Sequence, residues 1–317
     1  MSNPAAPTSP DQPLDILYVG GMPRSGSTLT DLMLDSLPGH VAVGELFYLW
    51  RNGLLHDGLC ACGAAFSRCP FWQAVGQQAF GGWRAADGER VMRLQHEVDR
   101  TAKIPQILGR RPRAFAAALE EYSGLLQRLY AAIAQVSGAQ VVVDSSKRPS
   151  LAFVLRSMPG VRLTVAQVVR DPRGVAYSFS KHVELPAGAA LGAAMPRSST
   201  VKVARRWVTV NALVASLGAL GVPTVRVRYE DLVQDPLREL ARVAAAEGRP
   251  SEVDRTVVTD RGLRVPETHV VAGGRIRLAD GVLPLRLDDA WRREMDPAAR
   301  RVVGAVTAPT RLRYGYR

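Results

Sequence analysis

The sequence predicts an α/β protein whose central, mainly parallel sheet is flanked by helices. Four short apolar, β-branched runs bounded by turn residues have the character of strands that are buried on both faces. These runs are 16–19, 141–143, 163–169 and 222–227. Segments with helical spacing lie between and after them, at 28–37, 114–136, 150–157, 174–182, 199–220 and 236–246. Strands that alternate with helices form parallel sheets, and such sheets bind ligands beyond the carboxyl ends of their strands.

A glycine loop that suits an anion follows the first predicted strand. Residues 21–28 read Gly-Met-Pro-Arg-Ser-Gly-Ser-Thr. The nucleoside-triphosphate loop G-x-x-x-x-G-K-[ST] uses its lysine to reach the β- and γ-phosphates, but here Ser27 replaces that lysine and Arg24 is the nearby cation. A three-layer fold of the P-loop type is therefore predicted, with a ligand whose acidic chain is shorter than that of ATP. The alternative is that the serine and threonine only cap the following helix.

A second polar group follows the third predicted strand. Arg170 ends the strand, and Ser178 lies about a turn into the next helix, so both side chains can face one crevice. A guanidinium grips a phosphate through two N–H groups, and a hydroxyl adds another donor. The alternative is that residues 171–174, Asp-Pro-Arg-Gly, form only a turn with a local ion pair.

With both motifs in this order, the chain resembles the sulfotransferases that use 3′-phosphoadenosine 5′-phosphosulfate (PAPS), especially bacterial members of the carbohydrate and tyrosylprotein type. The resemblance runs from about residue 14 to 316 and includes Val-Arg-Tyr-Glu-Asp-Leu at 227–232. It also includes His-x-x-x-Gly-x-x-x-Arg at 269–277, where Gly274 and Arg275 replace the usual Asn and Pro. The resemblance implies that the 5′-phosphosulfate binds Arg24, Ser25, Gly26, Ser27 and Thr28. It implies that the 3′-phosphate binds Arg170, Ser178 and Arg277.

The resemblance also implies the catalytic residues. Glu45 follows the first helix after a short segment and matches the place of a glutamate that is the general base in related enzymes. Lys147 ends the second strand and matches a lysine that contacts the transferring group, so Lys147 and Arg24 would share the charge of the leaving group. Two alternatives stay open: Glu45 only caps or pairs on a helix face, or His182, four residues after Ser178, is the base.

The implied reaction moves a sulfuryl group from PAPS to a hydroxyl of a small-molecule or carbohydrate-type acceptor, releases PAP and requires no metal. The alternative is a P-loop phosphotransferase or nucleotide-binding protein that uses ATP, with the run ending in Asp144 as its metal-binding strand. The net charge of +12 would steer an anionic cofactor. Nucleic acid is not the expected partner, because basic residues form no run of five and aromatic residues make up only 6%.

A single domain over residues 14–317 is predicted, with a mostly helical insertion at 49–113 that builds part of the acceptor pocket. Residues 1–13 have the composition of a disordered tail and not of a signal peptide. No apolar run approaches the roughly 20 residues of a membrane span. A cytoplasmic protein is therefore expected, and its oligomeric state stays open.

The chain has three cysteines, Cys60, Cys62 and Cys69, and all of them lie in the predicted insertion. With His56, which comes four residues before the first, they offer the four ligands of a tetrahedral zinc site. The C-x-C-x6-C spacing does not match the common C-x2-C knuckles, and the prediction for the site residues includes no metal. Free thiols or one local disulfide are the other possibilities.

Overall fold

A five-stranded parallel sheet forms the centre of the protein. The structure, a computed structural model, describes residues 13–181, 198–249 and 256–317. The strands are β1 Leu14–Gly21, β2 His40–Gly44, β3 Val141–Asp144, β4 Val161–Val169 and β5 Thr224–Arg228. Their order across the sheet is β2-β3-β1-β4-β5, and every neighbouring pair is parallel. A small antiparallel sheet contains β6 Val258–Thr259, β7 Gly262–Arg264 and β8 Val282–Leu283.

Helices cover both faces of the central sheet. They are α1 Ser27–Leu34, α2 Pro70–Phe80, α3 Gly88–Val98, α4 Ile104–Leu108, α5 Arg113–Ser137, α6 Pro149–Ser157, α7 Pro172–Ser180, α8 Thr200–Ala219, α9 Tyr229–Gln234, α10 Pro236–Ala246, α11 Trp291–Glu294, α12 Pro297–Val306 and α13 Ala308–Arg313. Each of the six helical segments predicted from the sequence overlaps one of these helices. Among the described residues, no helix has both the length and the apolar character needed to cross a membrane.

Two hydrophobic cores lie on opposite faces of the sheet. One packs Ile16 of β1 against α5 and α6, with Tyr130 and Phe153 fully enclosed. The other packs Leu17 of β1 against α1 and α10, with Met33 at its centre. Alternate residues of β1 thus face different helical layers, as expected for a strand that is covered on both sides.

The insertion packs on the first of these cores. Within residues 49–113 the chain forms a π-helical segment, Leu49–Leu55, then α2, α3 and α4 with short 3-10 turns between them. Trp72 and Trp83 are buried there, and Nε1 of Trp83 donates to the carbonyl of Trp72 at 2.7 Å. The indole hydrogen bond satisfies a buried donor and ties the two helical pieces together.

The sequence predicts four of the five strands of the central sheet and misses β2. This strand has only five residues, and its first two are only partly buried. It lies at the sheet edge and pairs with β3 alone in the central sheet, with a bulge between Ala42 and Gly44. Its apolar part, 41–43, contains an alanine and is flanked by His40 and Gly44, so it lacks the continuous β-branched run that marks β3, and its position is set by long-range pairing.

Candidate active site

The predicted site residues follow four neighbouring strands at one edge of the sheet. Glu45 follows β2, Lys147 lies three residues after β3, the glycine loop follows β1, and Arg170 follows β4. Because the sheet order is β2-β3-β1-β4, the glycine loop lies between the Glu45–Lys147 side and the Arg170 side. The carboxyl edge of the sheet therefore presents these groups in a row, where ligands of parallel sheets bind.

The glycine loop leaves the start of α1 without a side-chain cap. Gly26 is the N-cap residue, and no side chain of the described residues caps the first N–H groups of the helix. The capping alternative is therefore wrong for this loop. Gly26 has φ +91°, and a Cβ atom there would lie 2.4 Å from Cδ2 of Tyr229, so only glycine fits. The first N–H groups of α1 remain available to an anion.

Two side chains of the loop have contacts that bear on ligand binding. The hydroxyl of Ser25 is buried and has no hydrogen-bond partner among the described residues. The hydroxyl of Thr28 accepts from the N–H of Gly274 at 3.0 Å, so a distant segment supports the loop. A buried hydroxyl without a partner is costly, and a bound oxyanion would satisfy it.

Arg24 connects the loop with the second predicted motif. Its Nη1 donates to the carbonyl of Ser178 at 2.8 Å and to the hydroxyl of the same residue at 3.4 Å. Nη1 of Arg170 donates to the carbonyl of Arg24 at 3.2 Å. Burial lowers the pKa of the Arg24 guanidinium. The structure thus brings Arg24, Arg170 and Ser178 into one continuous polar group.

The guanidinium of Arg170 already has protein partners. Its Nη2 donates to the carbonyl of Asp288 at 2.7 Å and to a carboxylate oxygen of the same residue at 2.9 Å. The ring of Tyr229 lies 4.6 Å below the guanidinium. Burial acts to raise the pKa of Asp288, but the hydrogen bond from Arg170 and the positive charges of Arg170 and Lys181 together outweigh it and lower that pKa. Asp288, which sequence reasoning missed, therefore faces Arg170 as a carboxylate.

The turn after Arg170 also contains a local ion pair, as the alternative interpretation of residues 171–174 predicts. Nη2 of Arg173 lies 2.6 Å from a carboxylate oxygen of Asp171, and that carboxylate caps α7 by accepting from the N–H of Arg173. Asp171 orients its own helix, whereas Arg170 and Ser178 meet the loop. The local turn and its ion pair are confirmed, whereas phosphate binding by Arg170 and Ser178 stays a prediction.

Glu45 and Lys147 form an ion pair beside the loop. The Nζ atom of Lys147 lies 2.6 Å from Oε1 of Glu45, and their side chains are 7% and 15% exposed. Lys147 has a positive φ of 61°, a conformation that is unusual for a lysine. The amide N–H of Ser146 donates to Asp144 at 2.7 Å, which shapes the turn that ends in Lys147.

A buried tyrosine fixes the other side of this turn. The hydroxyl of Tyr18 donates to the carbonyl of Arg148 at 2.7 Å and accepts from the N–H of the same residue at 2.7 Å. Tyr18 is fully buried in β1. The lysine turn is therefore held from two adjacent strands, which offsets its backbone strain.

Residues 268–274, the flanking segment, run beside β2 and hold Glu45 in place. The N–H of Val271 donates to Val43 at 3.1 Å, and the N–H of Glu45 donates to Ala272 at 3.0 Å. Gly44 has φ +77°, and a Cβ atom there would lie 2.5 Å from the carbonyl oxygen of Ala272. The close approach of the two backbones needs this glycine.

Arg277 lies on the Glu45 side of the site. Burial lowers its pKa, and neighbouring Cys60 and Glu45 act to raise it. Its Nη1 atom is buried and has no hydrogen-bond partner among the described residues. The structure records no hydrogen bond from Arg277 to Arg170 or Ser178 within those residues, so its contact with a 3′-phosphate stays a prediction.

A cavity of about 650 Å³ opens above the loop and the ion pair. Its walls combine the loop with residues of the insertion, such as Asn52 and Thr101, and with α8 residues such as Thr209 and Leu213. Among the described lining residues, Glu45 is the only acid. The basic ones are Arg24, Lys147, Arg148, Arg206 and Arg275. A cationic cavity with one carboxylate suits an anionic ligand and a proton transfer.

The three cysteines lie beside a histidine other than the expected one. Their sulfur atoms group with His269 of the flanking segment, and His56 is exposed and outside that group. Burial raises the pKa of Cys60 and of Cys69. His182, the second candidate base, lies outside the described residues.

The comparisons with known proteins bear on the family and the fold of the chain. The family model described as "Sulfotransferase family" matches residues 17–252, well over half of the chain. The chain belongs to the sulfotransferase family. The matched region of this sulfotransferase includes the loop, Glu45, Lys147, Arg170 and Ser178 but not the flanking segment. A search of curated proteins gave no match.

Three solved sulfotransferase structures are similar to this sulfotransferase to different degrees. The sulfotransferase domain from the Synechococcus PCC 7002 olefin synthase matches with a TM-score of 0.52 and 21% identity, over 98% of this chain and 99% of that chain. The domain from the curacin biosynthetic pathway gives 0.47 and 16%, over 97% and 99%. A sulfotransferase from Mycobacterium tuberculosis H37Rv gives 0.43 and 13%, over 93% and 77%. The first match, together with the observed sheet, confirms the predicted α/β fold class.

Proposed function

We propose that this sulfotransferase moves the sulfuryl group of PAPS to a hydroxyl of a small-molecule or carbohydrate-type acceptor and releases PAP. The observation that carries the proposal is the row of groups along the carboxyl edge of the sheet. A carboxylate–ammonium pair, Glu45 with Lys147, lies on one side of the anion loop, and Arg170 lies on the other. A ligand with phosphate groups at two positions matches such a row.

The loop would hold the phosphosulfate through its backbone and side chains. The uncapped start of α1 and the buried hydroxyl of Ser25 offer donors that lack protein partners. On the other side, Arg170 and Ser178 would hold the 3′-phosphate. The carboxylate of Asp288 already lies 2.9 Å from Arg170. The 3′-phosphate would therefore either bind Arg170 together with this carboxylate or displace it. Bound PAPS supplies the sulfuryl group that is transferred, and the phosphate that carried it is the leaving group.

Glu45 would act as the general base. Its carboxylate lines the cavity, is joined to Lys147, and is held through its N–H by the flanking segment. From that position it would accept the proton of the acceptor hydroxyl as the oxygen attacks. Lys147 and Arg24 would stabilise the negative charge that develops on the leaving oxygen, so the proposal assigns no metal to the reacting centre.

The cavity above the ion pair is the proposed acceptor site. Its volume of about 650 Å³ suits a small molecule or a sugar unit. Tyr48 just before the insertion, Thr101 within it and Leu213 of α8 would contact the acceptor, since they line the cavity. The mixture of aromatic, hydroxyl and apolar groups favours an acceptor with both polar and apolar surfaces.

An ATP-dependent phosphotransferase fits these residues less well. Asp144 would have to hold a magnesium ion, but its carboxylate is fully buried and accepts hydrogen bonds from Tyr130 and Ser146. Burial raises the pKa of Asp144 to about 6. Ser27 stands where a lysine would reach a γ-phosphate. The candidate metal ligand of that mechanism is therefore already engaged by protein donors, and the cation that would bind a polyphosphate is replaced by a serine.

The direct test is sulfuryl transfer with labelled PAPS. Purified protein is incubated with 35S-labelled PAPS and a small-molecule extract of the source cell, and the labelled products are identified by mass spectrometry. We expect label to appear in a hydroxyl-bearing compound and PAP to accumulate. Magnesium-dependent phosphate release from ATP, with no transfer from PAPS, would support the phosphotransferase instead.

A further inference from the structure

Three thiols and an imidazole converge beside β2, outside the cavity walls. Sγ of Cys69 lies 3.7 Å from Sγ of Cys60 and 3.7 Å from Sγ of Cys62. Nδ1 of His269 lies 3.4 Å from Sγ of Cys69 and 3.8 Å from Sγ of Cys60. All four candidate ligand atoms lie within 4.8 Å of one another. We propose that these four residues bind one Zn²⁺ ion that fastens the insertion to the flanking segment.

The distances match the edges of a zinc tetrahedron. With Zn–S bonds of about 2.3 Å and Zn–N bonds of about 2.0 Å, tetrahedral geometry separates two sulfurs by about 3.8 Å and a sulfur from a nitrogen by about 3.5 Å. The four separations given above, 3.4 to 3.8 Å, agree with these edges. A disulfide needs a sulfur–sulfur distance of about 2.05 Å, and all three cysteines are free.

The fold brings the cysteine ligands together from two local structures. Cys60 and Cys62 belong to a tight turn that is closed by a bridge between Leu59 and Ala65. Cys69 is the N-cap residue of α2, where the helix dipole favours a thiolate. Cys62 is exposed, which leaves an entry path for an ion, whereas Cys60 and Cys69 are buried. Three ligands are thus set by a stretch of ten residues.

The histidine ligand comes from the other end of the chain and is held rigidly. The indole N–H of Trp72 donates to the carbonyl of His269 at 2.9 Å. The ring of Phe71 stacks on the imidazole, with centroids 4.7 Å apart and an interplanar angle of 3°. Contacts of this kind fix the orientation of a ligand before the metal binds. Both aromatic residues belong to α2, so the helix that contributes Cys69 also positions His269.

A complete set of four protein ligands defines a structural site, because a catalytic zinc keeps one position open. Its effect would reach Glu45 through the flanking segment. His269 lies two residues before Val271 and three before Ala272, whose backbone groups bond to Val43 and Glu45. The ion would therefore act as a positioning element for Glu45, and not as a reactant.

The first experiment measures the metal in purified full-length protein. Protein from zinc-supplemented cells is dialysed and analysed by plasma mass spectrometry, and we expect about one zinc per chain. Replacement by Co²⁺ should give the visible absorption of a tetrahedral cobalt–thiolate site. Zinc below about 0.1 per chain after reconstitution with excess Zn²⁺ would overturn the proposal. So would iron in its place, or a disulfide that leaves one reactive thiol in the denatured, unreduced protein.

Matched variants locate the ligands. Cys62→Ser and His269→Ala should each lose the zinc, whereas His56→Ala, at the exposed histidine four residues before Cys60, should keep it. Because Cys62 is exposed, its variant is expected to fold even where His269→Ala does not. Zinc retained in Cys62→Ser, or lost in His56→Ala, would contradict the assignment of ligands.

A thermal measurement tests the structural role of the ion without any enzyme assay. Chelation should lower the melting temperature of the wild type by several degrees, since a structural metal adds its binding free energy to folding. The same treatment should leave the melting temperature of Cys62→Ser unchanged. An equal response in both proteins would mean that the cluster holds no structural ion.

Discussion

The two sides of the anion loop differ in how their charged groups are engaged. On the β4 side, Arg170 contacts the Arg24 carbonyl, Asp288 and the ring of Tyr229, so it is fixed before any ligand arrives. On the β2–β3 side, Lys147 and Glu45 pair with each other and line the cavity. A group that is fixed in advance suits binding, and a paired acid and base at a cavity wall suit proton transfer. The difference predicts that variants on the two sides separate affinity from turnover.

The largest effect is expected from Glu45→Gln. The amide keeps the shape of the side chain but cannot take the proton, so turnover should fall by roughly 10²- to 10⁴-fold. Calorimetric affinity for PAP should stay within about two-fold, because Glu45 lies on the other side of the loop from Arg170. Turnover close to that of the wild type would move the base elsewhere, with His182 as the next candidate.

The next largest effect is expected from Lys147→Met. Loss of the cation removes charge stabilisation from the leaving oxygen, and we expect turnover to fall about 10²- to 10³-fold with a smaller loss of PAP affinity. Lys202→Met, at an exposed lysine on α8, is the matched control and should behave as the wild type. Equal kinetics for both variants would remove Lys147 from the reacting centre.

On the β4 side, Arg170→Met should weaken PAP binding with little effect on AMP binding. The two ligands differ by the 3′-phosphate that Arg170 is proposed to hold. A charge-assisted contact of this type corresponds to about 10- to 100-fold in affinity. Titration of both nucleotides with both proteins measures the effect. Equal weakening of PAP and AMP would show that Arg170 only supports the loop.

The smallest effect is expected from Asp288→Asn. The lowered pKa of Asp288 keeps its carboxylate charged at neutral pH, where it would repel the 3′-phosphate. Removing that charge should tighten PAP binding by about two- to five-fold, and less in high salt. Weaker binding of PAP in this variant would mean that Asp288 orients Arg170 and does not compete with the ligand.

The sequence predicts the groups that directly follow its apolar runs. The loop, Lys147 and Arg170 could be placed because the runs before them are buried strands, and such strands show in local composition. Glu45 is assigned from a family resemblance, since the strand before it, His-Val-Ala-Val-Gly, lacks a continuous β-branched run. Its position depends on the backbone of Ala272, which is more than two hundred residues away.

Asp288 and His269 are side chains whose partners could not be predicted from local sequence. Asp288 lies in a segment without regular structure, and only the folded chain brings it to Arg170. The sequence offers His56 as the fourth ligand because it is near the three cysteines, whose spacing matches no common zinc motif, whereas folding brings His269 to them. Local patterns give the strand ends, but partners that come from distant segments follow from tertiary packing alone.

The central claim is that two anion-binding sites of the protein hold the same ligand. Its most direct test is a calorimetric titration of the wild type with PAP, AMP and ATP in one buffer. We expect PAP to bind at least about ten-fold more tightly than AMP, because only PAP engages Arg170. ATP should bind no more tightly than AMP, because Ser27 offers no cation to a γ-phosphate. ATP binding as tightly as PAP, or equal affinities for PAP and AMP, would contradict the account.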